Sequence, residues 1–169
     1  MATTSTQARA AANRRRRARD PEAIRLLKKD HREVEGMFDE YAQLENENEK
    51  LALFNKIALA LKVHCQIEEE IFYPAERGEI EEDLLDEALV EHAGAKGLIA
   101  QIEGMEPGDE LYDAKIKVLG EYITHHVKEE EGDMFRQAKK ADLDLEAIGK
   151  RMEARKLELT AKLAGPAHH

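Results

Sequence analysis

Four stretches of this chain repeat apolar residues every three or four positions, and each repeat is interrupted once by a histidine. The first runs Ile24, Leu27, His31, Val34, Phe38, Tyr41, and the second Leu53, Ile57, Leu61, His64, Glu68, Ile71. The third is Leu85, Leu89, His92, Ile99, Ile102, and the fourth Ile116, Leu119, Ile123, His126, Glu130, Met134. Residues so spaced share one face of an α-helix, so each stretch predicts an amphipathic helix with its stripe toward a core. Four such helices with short connections describe an all-α, antiparallel up-down four-helix bundle. The histidines and the carboxylates Glu68 and Glu130 then point inward. Burying such groups costs several kcal/mol unless each has a partner.

Local signals place the boundaries. Asp20 as N-cap, with Pro21 at the first helical position, opens the first helix, which should run to about Leu44. The second is expected from about Glu49 to Tyr73, with Pro74 and Gly78 ending or kinking it. The third occupies roughly Ile80 to Met105. Pro107-Gly108 marks a turn, and Asp109 is placed to cap a fourth helix reaching about Lys139. The bundle therefore spans residues 20–140. A weaker pattern of Leu145, Ile148, Met152 and Leu159 predicts a peripheral accessory helix over 141–163, with a disordered tail at 164–169.

Charge divides the chain. Residues 1–20 carry six arginines (Arg9, Arg14 through Arg17, Arg19) against Asp20, whereas the chain as a whole has a net charge of −10. An acidic body argues against nucleic-acid binding by the bundle. The Ala/Thr/Arg leader, residues 1–19, is expected to be disordered. No apolar run approaches the ~20 residues that cross a bilayer, and the N-terminus lacks the apolar stretch of a secretory signal. Cys65 is the only cysteine, which excludes an intramolecular disulfide and fits a reducing cytoplasm.

The helices also repeat in pairs. A displacement from residue 64 to residue 126 superposes His64 on His126, Glu68 on Glu130, Phe72 on Met134 and Tyr73 on Phe135. Each half offers one histidine on its first helix and an HxxxE on its second. Two such hairpins packed about a pseudo-twofold axis converge His31, His64, His92, His126, Glu68 and Glu130 in the core. That donor set suits two borderline metal ions with the carboxylates able to bridge them, and ligand type alone does not separate iron from manganese or zinc. His125 and Glu129 also make an HxxxE, but they flank the apolar stripe and are expected to meet solvent or support the ligands. The Glu-x-x-His of ferritin-like di-iron sites, the HExxH of zinc proteases and the Gly-rich phosphate loops are all absent.

The set His31, His64-CQI-Glu68 with EEIFYP following, His92, and His126-VKE-Glu130 with EEGDMF following resembles the hemerythrin-like (HHE cation-binding) domain over residues 22–140. The resemblance implies a non-haem di-iron centre with an oxygen bridge. By that likeness His31, His64, His92 and His126 are terminal ligands, and Glu68 and Glu130 bridge two iron ions. Three departures stand out. Lys96 replaces a second third-helix histidine, HxxxE replaces HxxxxD in the last helix, and Arg136 stands where the family often has Pro. Six protein ligands leave open positions, which disfavours simple reversible oxygen transport and leaves room for peroxide, NO or redox chemistry.

The expectation is therefore a cytoplasmic di-iron protein that binds or reacts with a small diatomic or peroxidic ligand, in oxygen, redox or iron sensing or stress response. A peroxidase, catalase-like or NO-handling enzyme is one alternative. A metal-dependent regulatory bundle is another, acting on a partner protein through the Arg-rich arm or the last helix. Glu35, one turn from His31, and Tyr41, Tyr73 and Tyr122 are candidates to complete the metal shell. Gly94 and Gly97 are expected to ease helix approach or ligand access.

Overall fold

The computed structural model describes residues 3–165. Thr3–Ala18 form helix α1, so the leader expected to be disordered is helical. Its alanines, arginines and Gln7 are strong helix formers, which the charge argument overlooked. The bundle proper comprises α2 (Glu22–Tyr41), α3 (Glu47–Ile67), α5 (Glu82–Glu103) and α6 (Tyr112–Glu129). Short α4 (Tyr73–Glu76) and α7 (Phe135–Lys140) extend α3 and α6, and α8 (Leu145–Ala164) follows. The bundle helices pack as a closed ring in which α2 touches α3 and α6, and α5 touches the same two. Of the tail expected to be disordered, Ala164 ends α8 and Gly165 follows it; residues 166–169 lie outside the described residues.

The inward stripes hold almost without exception. Ile24, Leu27, Val34, Leu53, Ile57, Leu61, Leu85, Ile99, Ile102, Ile116, Leu119 and Ile123 are all buried. They form two apolar layers. One gathers around Phe54, Tyr112 and Ile116, the other around Phe72, Phe135 and Leu27. The polar groups of the core lie between these layers.

Two caps differ from expectation. Pro21 itself occupies the N-cap of α2, because Asp20 is drawn away by Lys28 at 2.6 Å and Lys139 at 2.7 Å. Asp109 accepts the amide of Glu106 and closes the preceding turn, so α6 starts at Tyr112 behind Leu111, whose φ is 72°.

The second and fourth helices share an interruption at equivalent places. Glu68–Phe72 and Glu130–Met134 are π turns, in which Tyr73 N–H donates to the Glu68 carbonyl and Phe135 N–H to that of Glu130. Pro74 follows the first turn, but Arg136 occupies its place after the second. Proline is therefore not the common cause. What the turns share is a buried glutamate at their first residue, and π turns concentrate at functional sites.

Helix α8 is not peripheral. It packs along α2 and α3, and Leu145, Ile148, Met152 and Leu159 join the layer around Phe72, Phe135 and Leu27, hereafter the lower layer. Burial of each such side chain stabilises by about 1.5–3 kcal/mol. The approach is close at Gly149, where a Cβ would stand 2.7 Å from the Glu22 carbonyl carbon and nearer still to the Ala23 nitrogen.

Candidate metal centre

The six residues singled out by phase meet between the two layers. His31 comes from α2, His64 from α3, His92 from α5 and His126 from α6, while Glu68 and Glu130 open the two π turns. None is more than 7% exposed. The Nε2 atoms of His31 and His64 lie 3.2 Å apart, and those of His92 and His126 3.3 Å apart. Glu68 Oε1 is 3.0 Å from His64 Nε2 and 3.3 Å from His92 Nε2. Glu130 reaches His31 Nε2 through Oε1 at 3.1 Å and His126 Nε2 through Oε2 at 3.2 Å. Two triads result, His31–His64–Glu130 and Glu68–His92–His126, each with its ligand atoms within 4.8 Å of one another. Each carboxylate contacts histidines from both hairpins.

Four further carboxylates stand behind the imidazoles. Glu131 lies 2.7 Å from His31 Nδ1, Asp30 3.1 Å from His64 Nδ1, Glu69 3.1 Å from His92 Nδ1, and Glu91 3.0 Å from His126 Nδ1. An ionised carboxylate only accepts, so every Nδ1 is fixed as the donor and Nε2 is the ring atom turned to the centre. The outer carboxylates are themselves held. Arg32 pairs with Glu131, Lys156 of α8 with Asp30 at 2.6 Å, and Lys96 with Glu69 at 2.6 Å.

The interior of this ring asks for a cation. Both oxygens of Glu68 and Oε1 of Glu130 are buried without a hydrogen bond, although imidazole nitrogens lie close. These atoms are at ligand spacing but not in donor–acceptor alignment, as expected of lone pairs converging on an ion. Titration behaviour agrees. Burial alone would depress His64, yet Glu68 and Asp30 raise it well above the ordinary imidazole range. His92 is pushed up to about 11 against burial by the adjacent Cys65 and Glu68, and His126 to about 10 against burial chiefly by Glu130. Burial would raise Glu130, but His126 and the neighbouring groups hold it well below the carboxylate range. Positive charge is favoured at the centre of the ring, and a metal ion supplies it by displacing protons.

Two positions break the pseudo-twofold. Tyr73 OH donates to Glu130 Oε2 at 2.6 Å and lies 3.2 Å from His92 Nε2. Its counterpart Phe135 instead stacks parallel to His31, with ring centroids 6.2 Å apart. Glu76 is fully buried with neither oxygen paired, where the other half has the buried Ala138. Burial, then Glu130 and Glu68, push Glu76 up to about 9. Its unfolded value is near 4.5, so folding takes up a proton. The associated stability is complete below pH 4.5 and is lost as pH rises toward 9. Glu76→Gln should therefore raise stability at pH 7 by up to about 3 kcal/mol and leave it unchanged at pH 4. Thermal melts of the metal-free proteins at the two pH values check this, and an equal gain at both would contradict it.

The outer carboxylates were not expected, since the apolar stripes place only Glu68 and Glu130 inward. A π turn advances less per residue than an α turn, so Glu69 and Glu131 fan over the same side as Glu68 and Glu130. Asp30 and Glu91 each immediately precede a histidine, a repeat that was legible but unused. Other candidates lie elsewhere. Glu35 pairs with Arg32 rather than entering the shell. Tyr41 donates to Asp113. Gly94 and Gly97 face open space, so neither permits a close helix approach. Cys65 is buried against His92.

Above the imidazoles lies a cavity of about 20 Å³. The four histidines form its floor. Val34, Leu61, Ala95, Ile123 and Val127 supply apolar walls, and the half-exposed Tyr122 stands at its edge. No helix among the described residues is long and apolar enough to cross a membrane.

Comparison with known proteins agrees with this architecture. The crystal structure of a hemerythrin HHE cation-binding-domain-containing protein from Mycobacterium kansasii superposes with a TM-score of 0.72 at 24% identity, covering 83% of this chain and 88% of that one. A DNA nickase from a Nostoc species is 27% identical over 110 residues, which is 65% of this chain. The present chain spans only 31% of that protein's length. The family model for the hemerythrin HHE cation-binding domain matches residues 22–138, the segment that contributes all ten inner and outer groups of the ring. The chain belongs to the hemerythrin HHE cation-binding family.

Proposed function

We propose that the chain is a non-haem di-iron protein that binds or reacts with a small diatomic or peroxidic ligand. His31, His64 and Glu130 would hold one ion and His92, His126 and Glu68 the other. Iron bound there supplies one-electron redox chemistry and affinity for O2, peroxide or NO. The chain's own residues do the rest. The outer carboxylates fix the imidazole tautomers, the apolar layers exclude bulk water, and Tyr73 holds a proton 2.6 Å from Glu130.

The observation that carries this reading is the cavity lined by all four histidines. Its volume of about 20 Å³ suits a molecule of water or diatomic size, since one water needs roughly 10–15 Å³. The test is iron content and the visible and near-ultraviolet spectrum of protein produced with added iron, followed by exposure to O2, peroxide and NO. Two irons per chain and a spectrum that changes with one of these ligands are expected. Ala95→Val, which adds carbon to the cavity wall, should keep the iron and weaken NO binding at least about tenfold. Unchanged NO affinity in that variant would show that ligands approach from elsewhere.

A further inference from the structure

On the flank of the buried ring, a further histidine and two carboxylates come together at the surface. His125 Nε2 is 3.1 Å from Glu129 Oε1 and 3.6 Å from Glu91 Oε2. The ligand atoms of the three residues all lie within 4.8 Å of one another. His125 is 65% exposed and Glu129 46%, so an ion from solution reaches them directly. Asp86 and Glu87 line the same open groove, and Asp86 is paired with Arg77.

The groove leads inward. Glu87, Glu91 and Glu129 line both the outer groove and a small inner void whose far wall is His126 and Glu130. Behind that wall, Glu130 turns Oε2 to His126 Nε2 and Oε1, which has no hydrogen bond, to His31 Nε2. Glu91 serves both sides, with Oε2 toward His125 and Oε1 toward His126 Nδ1.

The other half of the molecule shows what such a carboxylate requires. By the internal repeat, Glu91 corresponds to Asp30, His125 to Val63 and Glu129 to Ile67. Val63 and Ile67 are buried in the layer that α8 completes, and Lys156 of α8 sets its ammonium against Asp30. Among the described residues, no lysine or arginine pairs with Glu91. Where the first half has apolar side chains and a built-in cation, the second presents exposed ligands and no fixed positive charge.

We infer that Glu91, His125 and Glu129 form a surface site for a divalent transition-metal ion, which captures ferrous iron and passes it to His126 and Glu130. Two carboxylates and one imidazole suit such an ion, and an exposed three-ligand site with open positions binds it weakly enough to release it. The transfer moves an ion between ligand sets, with no change of oxidation state. The capture role rests on the di-iron reading above; the surface site does not.

The experiment uses the full chain, freed of metal, in four forms: wild type, His125→Ala/Glu129→Gln, Glu68→Ala/Glu130→Ala, and the quadruple variant. Cobalt(II) titration followed by equilibrium dialysis counts ions. The Glu68→Ala/Glu130→Ala variant should bind one cobalt and the quadruple variant none, whatever the fate of the buried centre. Equal counts in these two would overturn the surface site. Anaerobic ferrous loading of wild type and His125→Ala/Glu129→Gln then tests capture. The variant should load at least about tenfold more slowly at limiting iron yet reach the same final content, which also shows that its buried centre is intact. Equal loading rates would overturn the capture role.

Discussion

Replacing Glu68 and Glu130 together with alanine should yield a folded bundle that retains no iron in its buried centre. Both side chains sit at the first residue of a π turn, and each lies within about 3.3 Å of imidazole nitrogens from two hairpins. Removing them takes a carboxylate from each triad and leaves four imidazoles facing one another. The fold should tolerate this. Alanine is the strongest helix former, and the metal-free protein no longer buries the unpartnered Glu68 oxygens. The contrast lies in the response to metal. An ion at a thousand times its dissociation constant stabilises a native state by about 4 kcal/mol per site. Wild type should gain on that order from the buried centre when ferrous iron or cobalt is added, and the variant should lose this gain. Iron analysis, near-ultraviolet absorption and thermal melts with and without metal measure it. Two ions per chain with an unaltered spectrum would remove these glutamates from the ligand set.

Gly149→Ala should destabilise the protein by about 2–3 kcal/mol, although alanine is the better helix former by roughly 1 kcal/mol. A Cβ at this position would approach the Glu22 carbonyl carbon at 2.7 Å and the Glu22 Cβ at 2.8 Å, and the Ala23 nitrogen is nearer than either. Two of these three obstacles are backbone at the start of α2, so no rotamer change relieves the clash. Helix α8 must shift outward, taking Met152 and Leu159 from the lower layer and Lys156 from Asp30. Gly36 provides the control, because a Cβ there meets nothing within 4 Å. Gly36→Ala should stabilise by up to about 1 kcal/mol. Denaturant titration of both variants gives the comparison, and equal shifts of the same sign would show that α8 does not dock tightly.

The phase of the apolar stripes carried most of what was legible. A histidine in register with Ile123 and Leu119 has to point inward, and that separates His126 from His125. The outer carboxylates were not legible in the same way. In a run such as Glu68-Glu69-Glu70 the direction of the middle residue depends on a π turn, which leaves no periodic signature. Asp30 and Glu91 lie off the apolar stripe, as a solvent-facing residue does. Helix α8 was read as peripheral because its apolar residues are sparse. Gly149 looks like a weak point by helix propensity, whereas it is the residue that permits close docking.

The cross-bracing of the ring makes its assembly a matter of association. His31 of the first hairpin is aligned by Glu131 of the second, and His92 of the second by Glu69 of the first. Each triad likewise draws two histidines from one hairpin and its carboxylate from the other. Neither hairpin alone contains a finished ligand set, so metal affinity and hairpin docking are reciprocal quantities, and whatever strengthens one strengthens the other. A chain severed in the Pro107-Gly108 turn would be rejoined by its metal.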